Sequence, residues 1–229
     1  MSYSHELGSE WGQRRRQAPL VIFDLYGTLV DWRYSISKFI EYYISPGAVE
    51  DFFKCDIAKT SSQEYKPYKQ FLCECLSYVA EKSSVFLSSD LCDAFVLSFA
   101  KSPPFPDTVY GLKLLKRAGY TLVVLSNTDR DLVKVTLAGM EDLVDYVITA
   151  EDVGAYKPST QAFVKAYAKL GVEPLRVIHV SAYPEYDLLP ASRLGARTIL
   201  LDRGLGYDWP VKVKNLLELH QVLSTEFYE

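Results

Sequence analysis

Between residues 120 and 201 the chain alternates short apolar runs with longer segments whose apolar residues recur at helical spacing, and this alternation limits the fold more than any other feature. The runs at 120–126, 146–149, 176–180 and 198–201 read as strands. The segments at 107–118, 130–138, 160–170 and 187–194 read as helices closed by Gly119, Gly139, Gly171 and Gly195, and a last helix is expected at 215–223. Strands that are apolar throughout are buried on both faces, and strands separated by helices join into a parallel sheet through right-handed crossovers. The expected class is α/β, a doubly wound parallel sheet.

A further apolar run begins near Leu20, where LVIFDLYGTLVD (20–31) ends its hydrophobic stretch on Asp24. Ligands of open α/β sheets sit outside the carboxyl ends of the strands, so Asp24 is placed at the rim of a site. Tyr26-Gly27-Thr28 breaks the strand, with Gly27 supplying backbone freedom at a sharp turn and Thr28 a hydroxyl for the loop.

From Trp32 to Ala100 there is no comparable strand. Phe71, Leu72, Cys75, Leu76 and Val79 mark one face of a helix, and three prolines at 103, 104 and 106 end the segment. An insertion of about 65 residues is long for a plain connection and is read as a helical lid over Asp24. The expected organisation is a polar tail at 1–18, an α/β core at 19–32 and 101–229, and a helical cap at 33–100.

The 229 residues are 48% hydrophobic and carry a net charge of −4, enough for a substantial core in a globular protein. No apolar stretch approaches the roughly 20 residues that span a bilayer, and the N-terminus lacks a secretory apolar segment. A cytoplasmic location is expected. Arg14, Arg15 and Arg16 form the only compact basic run, too small for a nucleic-acid surface. Cys55, Cys73, Cys75 and Cys92 show no metal-like pairing and are expected to be reduced, partly buried thiols.

Four positions fall at strand ends or beside them: Asp24, the pair Ser126-Asn127, Lys157 and Asp187. A carboxylate, a hydroxyl-amide pair, a cation and a second carboxylate make a coherent set for nucleophilic catalysis by an aspartate. Each has an ordinary alternative: Asp24 can close a turn, Ser126 and Asn127 can cap a helix, and Lys157 can be a solvated surface cation. Tyr26, Trp32, Tyr65, Tyr68 and Tyr183 are candidates for lining an apolar pocket, against the alternative of core and lid packing. His179, inside an apolar strand, reads as a hydrogen-bonded core residue.

The segments FDLYGTLVD, VVLSNTD, AYKPS and HVSAYPEYD together resemble the four motifs of the haloacid dehalogenase superfamily, and more narrowly its type II 2-haloacid dehalogenase branch. The resemblance spans about 20–201. It implies a Rossmann-like sheet in the order 3-2-1-4-5 with Asp24 on the central strand, and a helical cap after Trp32. It further implies a hydrolase in which Asp24 forms an ester with the substrate, Lys157 orients and charges Asp24, Ser126 and Asn127 bind the anion, and Asp187 positions the hydrolytic water.

The chain departs from the family's pattern in several places, Tyr183 among them, where the dehalogenases tend to carry asparagine. Ala182 stands where phosphatases of the superfamily carry a carboxylate, which weakens a magnesium site. Tyr26 stands where they carry the acid that protonates a leaving alcohol, as in the dehalogenase branch. No arginine lies between Arg33 and Arg117 to serve as the cap arginine of the dehalogenases, and Lys54, Lys59, Lys66 and Lys69 do not reproduce its planar fork. The expectation is a cofactor-free hydrolase acting at an activated carbon of an organic acid or a larger apolar metabolite. One alternative is a magnesium-dependent phosphatase, with Asp24, the Tyr26 carbonyl and Asp187 as ligands. The other is a fold that has given up hydrolysis for a non-hydrolytic conversion or for binding. Expected partners are a small-molecule substrate and, as an option, a second copy of the chain, with neither nucleic acid nor membrane.

Overall fold

The computed structural model describes residues 20–61 and 65–225; the tail expected at 1–18, with its arginine run, lies outside the described residues. In chain order the elements are β1 (Leu20–Phe23), α1 (Trp32–Tyr43), α2 (Val49–Thr60), α3 (Tyr68–Lys82), α4 (Ser89–Ala100), α5 (Thr108–Arg117), β2 (Thr121–Ser126), α6 (Arg130–Thr136), β3 (Tyr146–Thr149), α7 (Ala150–Val153), α8 (Thr160–Leu170), β4 (Val177–Ser181), α9 (Leu189–Arg193), β5 (Arg197–Leu201), β6 (Lys212–Val213) and α10 (Leu216–Thr225). All strand pairs are parallel and the sheet order is β3-β2-β1-β4-β5-β6, with β1 in the centre.

Alternate residues of the central strands feed two cores, as the two-residue period of a strand requires. Val21, Phe23, Leu122, Val124 and Val180 pack under α5 and α10 through Leu112, Leu115, Leu216 and Leu219. Leu20, Ile22, Val123, Leu125 and Val177 pack on the other face against Ala162, Phe163 and Ala166 of α8. Both faces are therefore covered, which is the doubly wound arrangement.

Helices α1 to α4 share a third core built on Trp32, Ile36, Phe52, Phe71, Leu76, Phe95 and Phe99. The face of α3 read from the sequence is the face it buries. The start of α3 has no cap of its own: Asp129, from the loop before α6, accepts from the backbone N–H groups of Tyr68 and Lys69 at 2.9 Å each. One end of the helical layer is thus tied to the α/β layer.

Two expectations need correction, and the expected sheet order holds with one strand added. The cysteines are not free thiols: Cys55 pairs with Cys75 and Cys73 with Cys92, because α2, α3 and α4 lie side by side and bring each pair of Cα atoms to 5.6 Å. That spacing falls within the range a disulfide requires. The sheet has a sixth strand, β6, joined to β5 by bonds from Leu200 N–H to the Val211 carbonyl and from Asp202 N–H to the Val213 carbonyl. Two residues are too few to form a readable apolar run. The helix expected at 187–194 is split into a π-helical turn, Pro184–Leu188, and the short α9. The first of these holds Asp187.

Candidate active site

Asp24 follows β1 and stays in register with the sheet, its backbone N–H donating to the Val180 carbonyl at 3.1 Å. The chain then folds sharply, and the N–H groups of Thr28, Leu29 and Val30 converge on the Leu25 carbonyl. Gly27 has φ +88°, and a Cβ there would also run into the Tyr183 hydroxyl. Only glycine meets both demands. The turn brings Thr28 back over Asp24, so that its hydroxyl donates to Asp24 Oδ2 at 2.7 Å and accepts from the Ala182 N–H at 3.0 Å.

Lys157 lies in the loop before α8, and its ammonium uses all three of its donors inside the protein. They reach Asp24 Oδ1 at 2.9 Å, Asp187 Oδ1 at 2.8 Å and the Leu125 carbonyl at 2.8 Å. The lysine is 2% exposed and Asp187 1% exposed, so this is a buried ion triad. Asp187 also accepts from His179 Nε2 at 3.0 Å and from the Ser181 hydroxyl at 3.1 Å. Ser181 in turn accepts from the Tyr183 N–H at 3.0 Å.

Burial pushes the Asp24 carboxyl above the ordinary carboxylate range, against the opposing pull of Lys157 and Thr28. Asp187 is as deeply buried, yet Lys157 and His179 outweigh that effect and hold it below the range. Burial alone would lower Lys157, but the two carboxylates raise it, so the ammonium stays charged. Of the two carboxylates, Asp187 is the settled anion and Asp24 the less stabilised one.

Above Asp24 lies a cavity of about 170 Å³, lined by residues that include Trp32, Arg33, Asp56, Tyr68, Phe99, Ser126 and Tyr183. Ser126 is 1% exposed and its hydroxyl has no hydrogen-bond partner among the described residues. A buried hydroxyl left unpaired is costly unless something else meets it.

The profile of the haloacid dehalogenase-like hydrolases matches residues 18–195. The chain belongs to this hydrolase family. (S)-2-haloacid dehalogenase 1 of Pseudomonas sp. strain CBS-3 is 25% identical over 192 residues, 80% of this chain and 83% of that protein. A glyceraldehyde 3-phosphate phosphatase of Methanothermobacter thermautotrophicus is 34% identical over 111 residues, covering 48% of this chain and 49% of that protein. A crystal structure of an L-2-haloacid dehalogenase superposes with a TM-score of 0.80 at 25% identity, covering 90% of this chain and 99% of that one.

Against the motifs of haloacid dehalogenase-like hydrolases, the structure brings Asp24, Ser126, Asn127, Lys157 and Asp187 together around one cavity. Asn127 is tied to the lysine loop, since Nδ2 donates one of its two N–H groups to the Lys157 carbonyl and Oδ1 accepts from the Lys157 N–H, at 2.8 and 2.7 Å. It brackets the lysine. Tyr26, Trp32, Tyr68 and Tyr183 line the cavity. The Tyr26 hydroxyl is bound to Thr136 at 2.5 Å, its ring stacks on Phe99, and Trp32 Nε1 donates to the Tyr183 hydroxyl at 3.3 Å. Tyr65 is not brought to the cavity; it stacks on Tyr156, a packing role.

The phosphatase alternative calls for magnesium, and the residues here fit that ion poorly. Magnesium requires a near-octahedral set of oxygens. Ala182 offers only a methyl group, and three of the roughly four acceptor positions of Asp187 are already taken by Lys157, His179 and Ser181.

Several members of the site were not read as such in the sequence. His179 and Ser181, polar positions in an otherwise apolar strand, both serve Asp187; that contrast is the signal that marks them. Arg203 donates from Nε to the Thr28 carbonyl at 2.9 Å and from Nη1 to Asp107 at 2.8 Å, bracing the nucleophile loop from beyond β5. Arg33 and Asp56 line the cavity with no local pattern to announce them.

Proposed function

We propose that the protein is a metal-independent hydrolase that forms a covalent ester on Asp24 with an activated carbon of a small, largely apolar organic substrate, in the manner its dehalogenase relatives suggest. The observation that carries the reading is the Asp24 environment: a carboxylate at the floor of an apolar cavity, held by donors on both oxygens, with Tyr26 rather than an acid two residues on. The Tyr26 phenol is driven up by burial and bound to Thr136, so it is no proton donor to a leaving alcohol. A leaving group that departs as a stable anion, such as halide, needs none.

In the first step an Asp24 oxygen attacks the carbon and the bonding pair leaves with the departing anion, which the Ser126 hydroxyl, without a partner among the described residues, would meet. In the second, water attacks the ester carbonyl, releasing the alcohol and restoring the carboxylate. Lys157 and Thr28, already donating to the two Asp24 oxygens, stabilise the charge that develops there. Asp187 has about four acceptor positions, three of them filled by Lys157, His179 and Ser181, and the remaining one suits the attacking water. The cavity is close in size to the roughly 150 Å³ cavity known to bind benzene, so the substrate is about one ring or a short branched chain.

The test is a panel of organohalides and phosphomonoesters assayed with EDTA and with magnesium. Halide release that is indifferent to EDTA and absent in Asp24→Asn is expected. Phosphate release that requires magnesium would overturn the proposal.

A further inference from the structure

Asp56 in α2 is 7% exposed, sits in the cavity wall, and accepts at Oδ1 from the Tyr68 hydroxyl at 2.8 Å. Its other oxygen has no donor among the described residues. Every other buried aspartate differs. Asp24 is bound by Lys157 and Thr28, Asp187 by Lys157, His179 and Ser181, and Asp129 by two backbone N–H groups, so that both oxygens are met in each case. Asp107, also well covered, is likewise met on both oxygens, by Arg203 and the Leu216 N–H. A carboxylate that serves only the fold acquires such partners, whereas the free Asp56 oxygen is not one of the fully enclosed unpaired atoms and is open to a ligand in the cavity it lines.

The cations of the helical layer do not supply the missing partner. Lys59 pairs with Glu74, Lys69 pairs with Asp131, and Arg33, the cavity's other charged cap residue, lies with its guanidinium 3.8 Å from the centre of the Phe53 ring. The cavity wall that Asp56 shares is largely aromatic, with Trp32, Phe53, Tyr68 and Phe99 among its lining residues. In such surroundings a carboxyl oxygen is a strong and selective acceptor, because little else competes for the donor that reaches it.

We infer that Asp56 sets the substrate class: the cavity takes a small organic molecule that turns a hydroxyl or ammonium group toward α2, and it disfavours one that presents a bare carboxylate there. The inference rests on the reading that this cavity is the substrate site, and it concerns recognition rather than the reaction. Burial also pushes the Asp56 carboxyl up to about 6, the direction expected for an acceptor lacking a partner.

The experiment measures binding, which does not depend on turnover. Benzylammonium, benzyl alcohol and benzoate, matched in size to the cavity, are titrated into the full-length protein and into Asp56→Asn at pH 7.5. The wild-type protein binds benzylammonium and benzyl alcohol more tightly than benzoate. Asp56→Asn weakens benzylammonium by about tenfold or more, the scale of a lost charge-assisted hydrogen bond, and does not weaken benzoate. Asp56→Ser serves as a second variant should the amide fail to fold. Benzoate binding tightest to the wild type, or benzylammonium affinity changing by less than about threefold in both variants, overturns the inference. If the ranking holds while no ester forms on Asp24, the proposed reaction falls and the recognition stands; if the ester forms without the ranking, the inference alone falls.

Discussion

At the residue scale the site turns on one ammonium shared by two carboxylates. Asp24 attacks only when ionised and its carboxyl lies above the ordinary range, so the rate falls as pH drops through a value above 3.8. Lys157→Met removes the charge that opposes the burial of Asp24, which moves this acid limb to higher pH and lowers kcat; a pH–rate profile reads both. Asp56 gives a stability prediction with a defined sign. Its folded pKa of about 6 exceeds the ordinary 3.8, so its contribution to stability is present below pH 3.8 and is lost as pH rises through 6. Asp56→Asn is therefore expected to be more stable than wild type at pH 8, by up to ~3 kcal/mol, with the difference shrinking toward pH 4; urea midpoints at the two pH values check it. Gly27→Ala meets both a positive φ and the Tyr183 hydroxyl, and is expected to lose about 1–3 kcal/mol along with most activity.

At the element scale, much was legible because it is local. Apolar runs ending in Asp24 and Ser126 had to be buried strands, and the spacing of Phe71, Leu72, Cys75, Leu76 and Val79 had to be a helix face. What was not legible depends on how elements meet. The cysteines look unpaired along the chain, and only the side-by-side packing of α2, α3 and α4 joins them. Closing loops of 20 and 19 residues, each bond is expected to stabilise the protein by about 3 kcal/mol, so a reductant lowers the thermal midpoint; an unchanged midpoint in fully reduced protein would contradict this. Asp129 is a second case, a cap supplied to α3 from sixty residues away, which no pattern near Tyr68 reveals. Asp129→Ala is expected to cost about 1–2 kcal/mol and to speed hydrogen exchange at the Tyr68 and Lys69 amides.

For the whole molecule, the sheet order places the ends of β1, β2 and β4 beside one another, and four distant stretches of chain deliver Asp24, Ser126, Lys157 and Asp187 to that edge. The helical layer closes the space above them with Trp32, Tyr68 and Asp56. The four strand-end positions could be read in the sequence because topology alone brings them together. Asp56 and Arg33 could not, since their place depends on how α1 and α2 lie across the sheet. The central claim is that Asp24 itself bonds to the substrate, and one isotope measurement addresses it. A single turnover of an organohalide by excess enzyme in ¹⁸O-labelled water should leave the label in the peptide containing Asp24 and release an alcohol free of it, because the alcohol takes its oxygen from the aspartate. An alcohol carrying the label, with Asp24 unlabelled, would mean that water attacks the substrate directly and would contradict the account.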